Sequence, residues 1–416
     1  MRKEIRQKVI FTALILAVFA IGVSIPVARV DKEALVQVFS GENSGLFDLY
    51  NLFTGGSFQN FTIFALGVTP YITASIIVQL LTIAFPYFEN LSKEGDTGRK
   101  KMATITRYMT IVLALLQAGG ITLGLFKQAI IDTSALSIIS IMLTLTAGTT
   151  ILMWLGEQVN EYGVGNGMSL LIFAGIVMRL PTQVMDVIRS AKEGTLSWVA
   201  AIGVIVAALL IVVAILYVQG GIRKIPVQYA KRVTGRKTYG GQSTHLPIKL
   251  NTSGVIPIIF AVSVLQMPIT IAYFFPRSGY ADFISKYLST NGNPGVWIYM
   301  ALNAVLVIAF TFFYTGIVFK PDEISDQLKQ NGGAIPAIRP GKPTAEYLRK
   351  VSKRMTMLDA LFLMAVSVLP TVVSAFTPLN LTFGGTSLLI LVGVATETVE
   401  RIKNQEIMYT NRGFLR

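Results

Sequence analysis

The side chains that most often carry chemistry are nearly missing from this sequence. There is no cysteine, which excludes thiolate nucleophiles, disulfides and Cys-ligated metals, and the single His245, in Gln242-Ser243-Thr244-His245-Leu246-Pro247, has no second ligand nearby and suits a local hydrogen bond. Gly341-Lys342-Pro343 lacks the Ser/Thr and the preceding glycine of a phosphate-binding loop, and Gly163-Val164-Gly165-Asn166-Gly167 does not follow a strand as a dinucleotide-binding turn does. Catalytic residues, a metal site and a cofactor are therefore not predicted, and the chain does not read as an enzyme. What remains is physical. Aliphatic residues recur in short repeated strings, and a charge-free apolar girdle can seal a pore because a narrow hydrophobic constriction dewets. Arg339, in Ile338-Arg339-Pro340-Gly341, sits on a proline-stiffened turn that would hold its guanidinium outward for bidentate contact with a carboxylate or phosphate.

The elements that position these residues must lie in a membrane. Of 416 residues, 52% are hydrophobic and only 14% charged, against about 25% charged in a soluble domain. The net charge of +14, from 36 Lys and Arg against 22 Asp and Glu, points to loops beside anionic lipid, nucleic acid or an acidic partner. Charge-free stretches locate the spans: 9–28, 49–88, 108–126, 133–156, 162–178, 194–222, 250–276, 287–319 and 360–396. Two are oversized. The segments 320–356 and 401–416 are both basic, so 360–396 must cross twice, with the break at Thr377-Pro378-Leu379-Asn380. The N-terminus and 93–107 are also both basic, so 49–88 crosses once and its surplus, 49–66, must re-enter or lie in a cavity. The fold expected is an all-α membrane protein of ten transmembrane helices with both termini inside. Asp359, Glu397, Glu157 and Arg107 are assigned to cytoplasmic helix ends, as snorkelling or capping groups.

Two strings are echoed along the chain. Gly67-Val68-Thr69-Pro70-Tyr71-Ile72 in span two returns as Gly254-Val255-Ile256-Pro257-Ile258-Ile259 in span seven, and Gly167-Met168-Ser169-Leu170-Leu171-Ile172 in span five returns as Gly385-Thr386-Ser387-Leu388-Leu389-Ile390 in span ten. Each pair runs in opposite directions, which is the pattern of two inverted five-helix halves, 1–194 and 195–416. Such symmetry gathers Ile72, Ile172, Ile259 and Ile390 at one waist, with Ile76 and Met168 one turn along on the same faces. The loops 220–253 and 320–356 face the cytoplasm, and the first carries Arg223, Lys224, Lys231, Arg232, Arg236, Lys237 and Lys249 without one acid. A secondary transporter also has inverted repeats and stays open as an alternative. It would need an intramembrane ionisable group or a convergent polar pocket.

Longer strings add a resemblance. Tyr229-Ala230-Lys231-Arg232, Gln242 to Lys249, Gly254-Val255-Ile256-Pro257, Ile335-Pro336-Ala337-Ile338-Arg339-Pro340-Gly341, Phe64-Ala65-Leu66-Gly67 and Phe383 to Ile390 together resemble the SecY family, channel subunits of the bacterial protein-conducting translocon. The sequence departs from that family in span one, at Phe19-Ala20-Ile21-Gly22 and at Pro26-Val27-Ala28-Arg29, where a Pro-Val-Pro-Gly turn is usual. The resemblance implies an hourglass channel of the bacterial cytoplasmic membrane, closed by a ring of Ile72, Ile76, Met168, Ile172, Ile259 and Ile390. It implies a short plug helix between spans one and two, within 47–61, including Leu49, Tyr50, Asn51, Phe53, Gly55, Gly56 and Phe58, whose composition suits a mobile, weakly anchored element. It also implies a lateral gate between helices two and seven, where Thr73, Ser75 and Gln79 face Ser263 and Gln266 and signal sequences insert. The implied partners are the small subunits SecE and SecG, anionic lipid, nascent polypeptides, and the SecA motor ATPase or a ribosome. Those last two would dock on Arg339, Lys231, Arg232, Arg236, Lys237 and Lys249.

Overall fold

A computed structural model describes residues 3–31, 34–35, 54–126, 129–132, 134–194, 197–229, 232–234, 237–239, 243–275, 278–288, 294–376 and 385–412. Most of these residues are helical. In chain order the helices are α1 (Lys3–Val23), α2 (Thr69–Ala84), α3 (Pro86–Lys93), α4 (Asp96–Gly120, continued as a π-helical turn at Ile121–Leu125), α5 (Ala135–Tyr162), α6 (Gly167–Lys192), α7 (Trp198–Gln219), α8 (Ile256–Phe274), α9 (Gly279–Tyr287), α10 (Gly295–Val318), α11 (Pro321–Gln330), α12 (Lys342–Phe376) and α13 (Gly385–Arg412). Their apolar residues face outward as well as inward. On α7 only Ala201 and Ile215 are buried, while Val199, Leu210 and Tyr217 are exposed. A helix apolar all round needs an apolar solvent.

Among the described residues, α1, α4 with its π turn, α5, α6, α7 and α10 are each long and apolar enough to cross a membrane. The α2–α3 pair becomes a further candidate only if taken together, and it bends by 101° at Phe85. Helix α2 has 16 residues and α8 has 19, or about 24 and 28 Å at 1.5 Å per residue, so neither reaches across the whole of a roughly 30 Å core. Helix α12, with 35 residues, is about 50 Å long and must project well beyond it.

Helices far apart in the chain meet. Helix α2 packs on α8, and α6 and α1 pack on α13. One apolar cluster at the centre draws on α1, α2, α5, α6, α8, α10, α12 and α13, and a second, around Phe58, Phe61, Phe126, Leu145 and Ile269, fills the end of the bundle that holds residues 24–31, 54–66 and 129–132.

Several sequence expectations are revised. The segment 220–253 is not a plain loop, because β1 (Ile222–Tyr229) pairs antiparallel with β4 (Ser243–Lys249), and a smaller hairpin, β2 (Arg232–Thr234) with β3 (Lys237–Tyr239), sits between them. β1 also pairs with β5 (Gly333–Ala334), which joins the two basic segments into one unit with its own core of Ile225, Val227, Ile248, Leu328, Ile335 and Leu348. Segment 320–356 is mostly helix, α11 and the first turns of α12. Asp359 is not an end-capping group: it lies halfway along α12, 1% exposed, accepting a 3.1 Å hydrogen bond from Ser253 Oγ while its Oδ1 has no partner. Arg107 lies 11 residues inside α4 and donates from Nε to Glu157 Oε1 of α5 at 2.6 Å. The sequence reading located helix ends from runs without charge, whereas α4 and α12 run on past the charged residues that bound those runs, which are ion-paired at an exposed position (Arg107) or hydrogen-bonded in the interior (Asp359).

Candidate functional site

The echoed strings turn out to be helix starts. Before α2, Gly67 has φ +57° and Val68 caps the helix at φ −93°, ψ 1°, with a proline in the first turn; before α8, Gly254 has φ +65° and Val255 lies at φ −94°, ψ −7°, again with a proline in the first turn. Glycine takes the left-handed position without steric cost, and proline fits the first turn because its missing N–H has no helical partner there. The second pair also opens helices, α6 at Gly167 and α13 at Gly385. Asn166 caps α6, its Oδ1 accepting from the Met168 and Ser169 amides. A Cβ at Gly167 would overlap the Gly156 carbonyl, so glycine is what lets α6 begin so close to α5.

The candidate ring residues therefore sit within the first eight residues of four helices. Ile72, Ile76, Met168, Ile172, Ile259 and Ile390 are all buried, and all belong to the one central apolar cluster. Met168 lies against Gly156, where a Cβ would come within 2.8 Å of its Sδ. Buried hydroxyls lie on the same helix starts, Thr73, Ser169 and Ser387 among them, and Ser387 Oγ has no hydrogen-bond partner. The aliphatic and thioether side chains themselves can exclude water and ions and offer neither of them a coordinating group.

Beside it lies the segment expected to form the plug. Leu49, Tyr50, Asn51 and Phe53 fall outside the described residues. From Thr54 to Val68 the chain runs in successive turns, and Phe58 and Phe61 are fully enclosed, 5.7 and 4.5 Å from the Phe126 ring. The described part of this segment is thus well packed, not weakly anchored. Gly55, at φ +64°, touches Gly175 of α6 backbone to backbone: a Cβ at Gly55 would lie 2.7 Å from Gly175 Cα, and one at Gly175 would lie 3.2 Å from Gly55 Cα. Gly56, at φ +88°, faces Arg179. The reading of the sequence passed over Arg179 as the end of a span, and only its single charge after an apolar run could have marked it.

The polar residues assigned to the gate lie on α2 and α8 and form no hydrogen bond from one helix to the other. Gln79 donates to Ser75 Oγ at 3.5 Å and Ser263 to the Ile259 carbonyl at 2.7 Å, each within its own helix. Gln79 Oε1 and Gln266 Nε2 are buried without partners.

Residues 62–399 match the family model for SecY. The chain belongs to the SecY family. It is 42% identical to the protein translocase subunit SecY of Mycobacterium bovis, over 99% of this chain and 97% of that one, and 43% identical to that of Bacillus subtilis over the same shares. Among solved structures it is similar to a protein-conducting channel at TM-score 0.72 and 20% identity, and to Sec61 in the canine ribosome–channel complex from the endoplasmic reticulum at 0.68 and 18%, each alignment covering 98% of this chain and 94% of the other. The SecY and Sec61 structures share its fold.

In this SecY-family chain the remaining candidates gather at the basic end. Arg339 is exposed on a turn held by Ala337 at φ +64° and by Thr344 Oγ1, which donates to the Arg339 carbonyl at 2.9 Å, and it forms no ion pair with any described residue. Lys249 is ion-paired with Glu400 of α13, so its ammonium is already engaged. Arg232 and Lys237 lie on the β2–β3 hairpin, and Lys231 and Arg236 fall outside the described residues.

Proposed function

We propose that this chain forms a protein-conducting channel of the bacterial cytoplasmic membrane, with ten crossings in two inverted halves and the basic end, including both termini, in the cytoplasm. The observation that carries the reading is the burial of six aliphatic or thioether side chains, from four helix starts in two echoed pairs, in one central cluster. The ring and the plug around Gly55, Gly56 and Phe58 form the resting seal. Leu49, Tyr50, Asn51 and Phe53 belong to the same plug.

Opening separates α2 from α8. Unpartnered Gln79 Oε1 and Gln266 Nε2 are groups that a polar backbone or water could satisfy when the two helices part, and an apolar segment can leave sideways because lipid solvates it better than water does. Thr73, Ser75 and Ser263 line the same seam. The chain performs no covalent step. The driving force is external, from the SecA motor or a ribosome docked at Arg339 and the hairpin bearing Arg232 and Lys237, with the nearby basic residues Lys231 and Arg236 as further contacts and Lys249 bracing that surface through Glu400. The small subunits SecE and SecG and anionic lipid complete the assembly. Its relatives are translocase subunits, which sets aside the secondary transporter.

Photo-crosslinking tests the path. A photoreactive residue at 72, 172, 259 or 390 should label a secretory polypeptide arrested in transit, and one at Val199, on the exposed face of α7, should not. Labelling at 199 with none at the four ring positions would overturn the reading.

A further inference from the structure

The 24–31 segment after α1 is the middle member of a small backbone clasp. On one side, Val27 N donates to Phe61 O at 2.9 Å and Ile63 N to Ile25 O at 3.0 Å, flanking the antiparallel bridge between Pro26 and Thr62. On the other, Asp31 N donates to Ala129 O at 2.9 Å and Ile131 N to Arg29 O at 3.1 Å, around the bridge between Val30 and Ile130. The chain therefore leaves this strand after Asp31 and is back on it at Phe61, so both ends of the intervening sequence rest on one support.

Arg29 is the residue that ties the support to the bundle. It holds φ +66°, a left-handed conformation that a non-glycine side chain adopts only under local constraint. Its Nη1 donates to Ser137 Oγ at 2.6 Å and lies 4.0 Å from Asp132 Oδ2. Asp132 accepts in turn from Ser137 Oγ at 2.7 Å, from Ser134 Oγ at 2.9 Å and from Ser134 N at 3.0 Å, at the start of α5. The Ser137 and Ser134 bonds, with the Arg29 charge, hold this carboxyl below the usual carboxylate range. It is ionised at neutral pH and available to the guanidinium.

We propose that Arg29 is a positioning residue for the seal: through Ser137 and Asp132 it anchors a clasp that pins both feet of the plug-bearing loop, so that the plug moves between fixed feet while they stay in place. This rests on the reading of 47–61 as a plug. The polar anchor makes the backbone strain worth bearing, since glycine at this position would relax φ but lose the attachment to α5.

The test uses the full channel complex in planar bilayers, with deletion of 51–60 as the reference for a lost plug. Arg29→Ala and Arg29→Gly should each raise resting ion leak severalfold, short of the deletion, while the thermal midpoint of the purified complex stays near that of the parent. Because the chain has no cysteine, a Pro26→Cys, Thr62→Cys pair supplies the only thiols in this subunit. Oxidised, this pair should reseal the Arg29→Ala channel and leave translocation at the parent rate. A leaking deletion with a tight Arg29→Ala channel would overturn the clasp and spare the plug, as would an oxidised pair that blocks translocation. A tight deletion would overturn the plug reading, and the clasp's role in sealing with it.

Discussion

At the scale of single residues, glycine does much of the positioning. Gly67 and Gly254 were visible in the sequence as members of an echo, but the reason for the echo, two helices begun by the same left-handed turn, is a matter of dihedral angles that a string of letters does not display. Gly175 shows the same limit. In the sequence it is only an extension of the second echo, three residues past Ile172 as Gly393 is past Ile390, yet in the fold it is the seat of Gly55, with the two backbones touching. Leucine at 175 has no space to occupy there, because the neighbour is main chain and cannot rotate away. Gly175→Leu should displace the 54–60 turns and raise resting conductance severalfold, measured as single-channel openings in the absence of substrate, with ring residues untouched. Wild-type tightness in a folded Gly175→Leu channel would show that this contact does not seat the plug. Asp359 was misread for a related reason. A carboxylate near the end of a charge-free run looks like an interfacial group, and nothing in the sequence tells that Ser253, more than a hundred positions away, meets it inside the bundle.

At the scale of elements, the hydrophobic pattern located the helices well and their ends poorly. Charge-free runs stop where charge begins, but α4, α12 and α13 continue for several turns through charged sequence, because surface turns of a helix are free to carry Lys, Arg and Glu. The strands of the 220–253 segment were missed altogether. A hairpin embedded in basic sequence has weak alternation, and its partner β5 lies about a hundred residues away, so the pairing is a tertiary event. Its consequence is rigidity. Ile335 packs into the core under β1, which fixes the turn from which Arg339 projects. Charge reversal there should act through docking and not through folding: Arg339→Glu is expected to slow motor-driven secretion into proteoliposomes far more than Lys286→Glu on α9 at the opposite end, with both complexes equally stable in detergent. Equal effects of the two changes would deny Arg339 a special place. Exposed pairs such as Arg349 with Asp322 contribute no more than about 1 kcal/mol each, so the hairpin's apolar core is what holds this surface together.

At the scale of the whole molecule, the helices that the echoes paired, spans two and seven and spans five and ten, do pack against each other, α2 with α8 and α6 with α13. The packing of these helix pairs was therefore legible in the sequence, because repeated strings carry information over long distances that local propensity does not. The seating of residues 54–63 was not, because it depends on close backbone contacts and on pairing among three segments far apart in the chain. Truncating a buried Ile or Met to alanine costs roughly 2–5 kcal/mol of stability, and in the proposed channel six such side chains would form the seal. The most direct test of that seal is ion conductance across a planar bilayer holding the complete channel complex without substrate. The account predicts low conductance for the parent and a large, persistent leak both when Ile72 and Ile390 are replaced by glycine and when residues 51–60 are deleted; parent-level conductance in both variants would contradict it.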